Sequence, residues 1–273
     1  SIMKFAWFIH NQKLRDDARL EGLLCSLKDA GCSVYEAVLP EDIQAGTDAL
    51  LSFGGDGTFL SAARLAVPAD LPVVGVNLGR LGFLSENKPD DVVKALLDDG
   101  FSVESRELLH VDAQGIREDF WPYALNETTV MRSGASMLGV DVSVDGVPLP
   151  TYWADGILVA TSSGSTAYSL SIGGPICSPD AHVLIVAPVS PHNLNVRPLV
   201  VPSTSVVRIT LRSREDNAIF TMDNRTFTIP TDAVITIGAA DRSLKRLRLT
   251  KANFYNALRE RLHWGEDVRN SNN

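Results

Sequence analysis

Gly54-Gly55-Asp56-Gly57-Thr58 lies between an apolar run, Ala49 to Phe53, and a stretch of helical spacing that reaches about Ala66. Three glycines in four positions permit positive φ and leave backbone N–H groups unshielded by side chains. With a helix N-terminus behind them, Gly54, Gly55, Gly57 and Thr58 make an anion site suited to phosphate. A carboxylate within such a site repels phosphate, so Asp56 needs a purpose of its own: a general base, a metal-linked acid, or the cap of a tight turn. Neither a GxxxxGK[ST] loop nor a GxGxxG opening the first helix is present.

Other segments offer complementary chemistry. Asn77-Leu-Gly-Arg-Leu-Gly-Phe-Leu84 follows the next strand-like run. In open α/β sheets ligands sit beyond the carboxyl ends of strands, so two successive Gly-rich strand ends point at one crevice. Arg80 could meet a phosphate or be a solvated charge; Phe83 could stack on a ring or pack in a core. Asn126-Glu127 combines donor, acceptor and carboxylate, enough to read an adenine edge and hold ribose hydroxyls, though polar strand ends are also common. Asp155 opens a strand that runs into residues 161–171, where eight hydroxyl or glycine positions surround Tyr168. Small residues let a flat ligand approach the backbone, hydroxyls bond it, and the tyrosine gives a stacking face. The five histidines are scattered without metal-ligand spacing. His192 reads as a hydrogen-bonded turn residue, and the basic stretch Arg242 to Lys251 as the wet face of a strand.

These segments need a frame. In the first hundred residues strands alternate with helices: Lys4 to Ile9, a helix over 13–30 closed by Gly31, Val34 to Leu39, Ala49 to Phe53, a helix to about Ala66, Pro72 to Val76, and a helix over Pro89 to Leu97. Such alternation predicts a parallel sheet with helices on its faces. From about Phe101 the period becomes two. Val140 to Val144 alternates strictly before Asp145-Gly146, a type I′ hairpin signal. Val206 to Leu211, Phe227 to Ile229, Val234 to Ile237 and Leu244 to Leu249 read as further short strands of an all-β domain. Ala252 to Trp264 regains helical spacing, and packing on the first domain is its economical place.

Composition bounds the function. The 273 residues are 45% hydrophobic and 21% charged, ordinary for a globular chain long enough for two domains. The longest apolar run, Val183 to Val189, is far below the roughly 18 residues of a membrane span. A net charge of −8 argues against holding nucleic acid through phosphate contacts. Cys25, Cys32 and Cys177 show no paired spacing, the pattern of reduced thiols in a cytoplasmic protein. Ser1-Ile2 ahead of Met3 reads as an appended pair.

GGDGTFL (54–60), NLGRLGFL (77–84), LNETTV (125–130), ADGILVATSSGSTAYSLSIGGPI (154–176) and PVSPHNLNVRPLVVP (188–202), in this order and spacing, resemble the NAD kinase family. The resemblance runs from about Ala49 to Thr250. It implies a Rossmann-like α/β domain over residues 1–100, completed by 251–273, and an all-β, NAD-binding sandwich over 101–250. It implies an enzyme that moves a phosphoryl group from ATP or another donor to the adenosine ribose 2′-hydroxyl of NAD, giving NADP.

Carried over by position, Asp56 would accept the hydroxyl proton with Gly57 beside it. Asn126 and Glu127 would face adenine and ribose, and Asp155 the nicotinamide side. Ser163, Thr166, Ala167, Tyr168 and Ser171 would line the dinucleotide site, Phe83 and Val189 would wall it, and Asn224 would touch ligand. Arg80 and the Gly-rich turn would meet the donor's phosphates with a divalent ion such as Mg²⁺, whose ligands the sequence leaves unknown. The resemblance also implies a homodimer or homotetramer. The chain departs from the family pattern at Ser162-Ser163-Gly164, where Pro-Thr-Gly is common. It departs again at Trp153, often a basic residue, and at Asp223-Asn224, often Asp-Gly. Two rival readings share parts of the pattern: a lipid or sphingoid-base kinase with the same GGDGT turn, and a non-catalytic NAD(P)-sensing module.

Overall fold

The computed structural model describes residues 3–117, 119–249, 251–267 and 269. Ser1 and Ile2, Thr250 at the edge of the resemblance, and most of the tail beyond Asp267 lie outside the described residues. The chain forms two compact units, one of residues up to Ser105 together with those from Leu244 onward, the other Arg106–Ser243.

In the first unit β1 (Lys4–Ile9), β2 (Ser33–Glu36), β3 (Ala49–Phe53) and β4 (Val73–Val76) pair in the order β2-β1-β3-β4, all parallel. Between them run α1 (Ala18–Asp29) and α2 (Asp56–Ala66), with α3 (Pro89–Leu97) after β4. The crossovers β1-α1-β2 and β3-α2-β4 step in opposite directions, so right-handed connection puts their helices on opposite faces. Leu20, Leu23 and Leu27 of α1 with Val92 and Leu96 of α3 cover one face. On α2, which packs on β3 and β4, Phe59, Ala62 and Ala63 are buried. The strand order reverses between β1 and β3, the crevice position where open α/β sheets take ligands. Asp56 begins α2 at that end of β3.

The helix expected over 13–30 starts only at Ala18, because the Asp17 side chain caps it by accepting from the Arg19 N–H at 2.9 Å. Residues 12–16 form a 3₁₀ turn instead. The strand expected to reach Leu39 ends at Glu36.

The second unit is a pair of antiparallel sheets. Its strands are β5 (Phe101–Ala113, entering from the first unit), β6 (Tyr123–Ala124), β7 (Glu127–Arg132), β8 (Leu138–Val144), β9 (Val147–Pro148), β10 (Tyr152–Ala154) and β11 (Gly156–Thr161). After the short helix α4 (Tyr168–Ser171) come β12 (Val183–Val189), β13 (Leu199–Pro202), β14 (Val207–Arg212), β15 (Asn217–Met222), β16 (Arg225–Pro230) and β17 (Ile235–Leu249).

One sheet has the order β13-β12-β11-β7-β15-β16; in the other, β8 and the first half of β17 flank β14. Their inner faces meet in one core, Val140, Val142, Val207, Ile209 and Ile235 against Val130, Ile157, Val159, Val186 and Phe220. That is a sandwich. The outer face of β11 and β12 is also covered: Leu158, Ala160, Ile185 and Ala187 pack with Ile172 and Cys177 of the segment after β11. Asp145 and Gly146 both have positive φ, 51° and 80°, as a type I′ turn requires.

Two expected strands are one. β17 runs unbroken through Gly238 to Ser243, a polar stretch that interrupts hydrophobicity but not pairing geometry. Its far end belongs to the first unit, where Arg246 pairs in parallel with Val73. Helix α5 (Phe254–Leu262), in the same unit, sets the Phe254 ring 6.3 Å from that of Phe83.

Candidate functional site

Asp56 sits half-buried at the start of α2, and its carboxylate is fastened to the loop after β4. Oδ2 accepts the backbone N–H of Phe83 at 3.0 Å; Oδ1 accepts those of Leu84 at 3.1 Å and Ser85 at 2.9 Å. The Ser85 hydroxyl donates back to the Gly54 carbonyl at 2.6 Å. Two Gly-rich strand ends, distant in sequence, are therefore one hydrogen-bonded body. Gly82 makes the approach possible: a Cβ there would overlap both Asp56 carboxylate oxygens. Asn77 holds the loop from inside, its Nδ2 donating to the carbonyls of Arg80 at 2.7 Å and Ser85 at 3.1 Å. Of the three glycines in the turn only Gly54 has positive φ, 147°, so the turn needs left-handed freedom once, not three times. Gly55, Gly57 and the Arg80 side are exposed.

Behind this loop the sequence reading needs correction. Arg246 and Arg248, expected on a wet strand face, are 1% and 8% exposed. The last turn of β17 is covered on both sides, and each guanidinium finds carboxylates there. Arg248 Nε lies 3.1 Å from Glu86 and its Nη1 3.0 Å from Glu104. Arg246 Nη2 lies 3.1 Å from Glu86 and donates to the carbonyls of Phe83 at 2.9 Å and Leu84 at 2.8 Å. Buried charges need pairing and hydrogen bonds, and Arg248 and the Arg246 Nη2 have both. Phe83, held between this network and Phe254, is part of the packing and half-exposed.

In the second unit the Asn126-Glu127 pair is built on a different carboxylate. Asp223, at the tip of the two-residue β15-β16 turn with φ 53°, accepts the N–H groups of Leu125 and Asn126 at 2.8 Å each and of Glu127 at 3.2 Å. Burial pushes its carboxyl above the usual carboxylate range, against the pull of those three amides and of Arg225. Glu127, 8% exposed, is pushed up to about 7, first by burial and then by the neighbouring Asp223 charge. The backbone N–H of Tyr168 reaches the Glu127 Oε1 at 3.2 Å, which joins the small-residue run to the pair. Gly164 lets that run fold against it, since a Cβ there would strike the Asn126 backbone. Thr161 completes the join through its N–H to the Asn126 carbonyl at 2.9 Å. Thr166 and Ala167 are half-buried, while Tyr168, Ser171 and Asn224 are exposed.

The remaining expected residues divide. Ser163 is buried and accepts from Arg106 Nη1 at 3.1 Å, and Val189 is 5% exposed, so both back a wall more than they present a surface. Asp155 accepts from Arg132 Nε at 2.8 Å. That guanidinium supplies, from β7, the positive charge that Trp153 does not. His192 sits in a turn, its N–H donating to the Trp153 carbonyl at 2.7 Å. Among the described residues no three His, Cys, Asp or Glu side chains converge on a metal-sized hole. The described side chains therefore supply no ready-made metal cage.

Asp223, Arg106, Arg246 and Glu86 were missed as supports. The Asp223-Asn224 dipeptide between two alternating runs is a hairpin signal that could have exposed the first. Nothing local marks the others, because their partners lie far away in sequence.

A doubly wound α/β unit and a β-sandwich are the two parts of solved dinucleotide kinases. The crystal structure of an NAD kinase from Archaeoglobus fulgidus in complex with ATP matches with a TM-score of 0.76 and 27% identity, covering 94% of this chain and 99% of that one. Yeast NADH kinase complexed with NADH shares the fold, with a TM-score of 0.80 at 22% identity, over 99% of this chain and 90% of that one. The ATP-NAD kinase N-terminal domain family matches residues 13–99 and the ATP-NAD kinase C-terminal domain family residues 125–249. An NAD kinase of Porphyromonas gingivalis strain W83 is 37% identical over 98% of this chain and 100% of its own length. One from Bacteroides fragilis strain ATCC 25285 is 33% identical over the same shares. The chain belongs to the NAD kinase family, and its activity is that of a phosphotransferase. Among the described residues no helix is long and apolar enough to cross a membrane.

Proposed function

We propose that this NAD kinase transfers the terminal phosphoryl group of ATP to the 2′-hydroxyl of the adenosine ribose of NAD, with Asp56 as general base. The observation that carries the reading is how Asp56 is held. A carboxylate oxygen accepts two hydrogen bonds. Oδ1 takes two backbone N–H groups and Oδ2 only one, so the base is oriented and Oδ2 keeps a lone pair for the hydroxyl proton. In the reaction the 2′-oxygen bonds to the terminal phosphorus and its proton passes to Asp56. The bond from that phosphorus to the bridging oxygen breaks, and ADP leaves with the electron pair. Such transfers ask the protein mainly for positioning and charge neutralisation.

Gly54, Gly55, Gly57, Thr58 and Arg80 take the phosphate side, where Gly55, Gly57 and Arg80 are exposed. Asn126 and Glu127 hold adenine and ribose. Thr166, Ala167, Tyr168 and Ser171 line the dinucleotide site with Asn224, and Ser163, Val189 and Phe83 back it. Asp155 serves the nicotinamide side. Any divalent ion arrives with the donor. The working form is a cytoplasmic homodimer or homotetramer. ATP bound to the Archaeoglobus relative and NADH bound to the yeast enzyme support a triphosphate donor and a dinucleotide acceptor.

The test is product formation from NAD, ATP and Mg²⁺, read with an NADP-specific dehydrogenase. NADP formed with ATP supports the reading. Turnover with inorganic polyphosphate alone would replace the donor. Silence with both, despite NAD binding, would make the chain a sensor.

A further inference from the structure

Arg246 lies 190 positions after Asp56 in the sequence numbering, yet the two share a pair of peptide groups. Arg246 Nη2 donates to the Phe83 carbonyl at 2.9 Å, and the N–H of that same peptide, on Leu84, donates to Asp56 Oδ1 at 3.1 Å. It also donates to the Leu84 carbonyl at 2.8 Å, and the N–H of that peptide, on Ser85, donates to Asp56 Oδ1 at 2.9 Å. We propose that Arg246 is a positioning residue for phosphoryl transfer, fixing and polarising the two peptide groups that hold Asp56 Oδ1 and so leaving Oδ2 to face the hydroxyl. The proposal rests on the reading of Asp56 as the base.

Hydrogen bonds linked through one peptide group act cooperatively. A cation at the carbonyl oxygen draws electron density through the amide, which makes its N–H a stronger donor to an anion at the other end. The peptide between Gly82 and Phe83, whose N–H serves Oδ2, has a different guanidinium at its carbonyl: Arg261 Nε donates to Gly82 O at 3.2 Å. The two Oδ1 donors thus share one buried cation, while the Oδ2 donor is served by a longer contact from α5.

The charged groups packed around Arg246 are Glu86 at 3.1 Å, Glu104 at 3.9 Å and, through them, Arg248; on its other side lies the Phe59 ring of α2, 5.9 Å from the guanidinium carbon. Glu86 is shared with Arg248, so an Arg246 variant does not leave that carboxylate without a cation.

The experiment compares wild type, Arg246→Lys and Arg246→Gln in full NADP-forming assays across pH, with NAD affinity and thermal unfolding measured on the same preparations. We expect Arg246→Gln to lower kcat about tenfold or more, to change the KM for NAD less than threefold, and to move the acid limb of the kcat profile to higher pH. Arg246→Lys should bring the limb part of the way back. A folded Arg246→Gln with the wild-type acid limb, whatever its kcat, would overturn the proposal. Lys245→Ala, which removes only an exposed pair with Asp70, is the control and should leave both unchanged.

Should the glutamine variant not fold, NMR of the wild-type protein decides. The Leu84 and Ser85 amide protons should titrate together with the acid limb, and amides indifferent to that titration would overturn the proposal. Failure of the underlying reading is distinguishable: an Asp56→Asn enzyme with undiminished turnover removes the base itself, whatever Arg246 does.

Discussion

Asp56 in the first unit and Asp223 in the second each gather three consecutive backbone N–H groups onto one carboxylate, at 2.9 to 3.1 Å and at 2.8 to 3.2 Å. The geometry is nearly the same; the surroundings are not. Behind two of the three amides that serve Asp56 stands the buried Arg246 guanidinium, two hydrogen bonds away through the peptide. Beside the amides that serve Asp223 stands a second carboxylate, Glu127, on the chain being held, while the Arg225 guanidinium pulls the Asp223 carboxyl down. A carboxylate whose amide cradle is backed by a cation is held in a fixed direction, which suits the proposed base. One buried beside another carboxylate raises its neighbour, here Glu127. An amide cradle alone therefore does not separate the two aspartates; the charges around it do.

The comparison can be broken from the structural side first. Asp223→Ala leaves the N–H groups of Leu125, Asn126 and Glu127 without their acceptor. Each orphaned buried donor costs about 1–3 kcal/mol, so the variant should lose at least about 3 kcal/mol of stability in denaturant titrations. An unchanged unfolding midpoint would show that the cradle is not holding the pair.

A smaller effect sharpens the contrast. Glu127 titrates near 7 in the folded protein and near its ordinary 4.5 when unfolded, so the folded state binds the extra proton in between. Stability should be fully present below about 4.5, fall as pH rises, and level off above about 7, with a total loss of about 3 kcal/mol. Asp223, also raised, adds to the same direction of slope. Glu127→Gln keeps an oxygen for the Tyr168 N–H and should flatten the fall across that window. Melting temperatures taken from pH 4 to pH 8 read both; parallel curves would contradict the assignment.

Much of this was legible in the sequence where the signal is local. Ala49–Phe53 is a strand with the expected limits, and Pro89–Leu97 is a helix as its proline and acids imply. Asp56, Asn126, Glu127 and Tyr168 stand out from their neighbours in the chain by residue type. What escaped was whatever depends on a distant partner. Arg246 looks like a surface charge until Glu86 and the Phe83 and Leu84 carbonyls are brought to it, and Asp223 looks like a turn until three amides from residues 125–127 arrive. β17 read as two strands because hydrophobicity lapses at Gly238 to Ser243, whereas backbone pairing does not need it.

The most direct test of the account is the turnover of Asp56→Asn, with NAD affinity and unfolding measured on the same sample. Asparagine keeps an oxygen for the Leu84 and Ser85 amides but turns an N–H toward that of Phe83, and it cannot take the hydroxyl proton. General-base catalysis is worth about 10²- to 10⁴-fold, so NADP formation should fall on that scale while the protein stays folded and still binds NAD. Turnover within a few-fold of wild type in a folded, NAD-binding variant would contradict the assignment of Asp56 as the base.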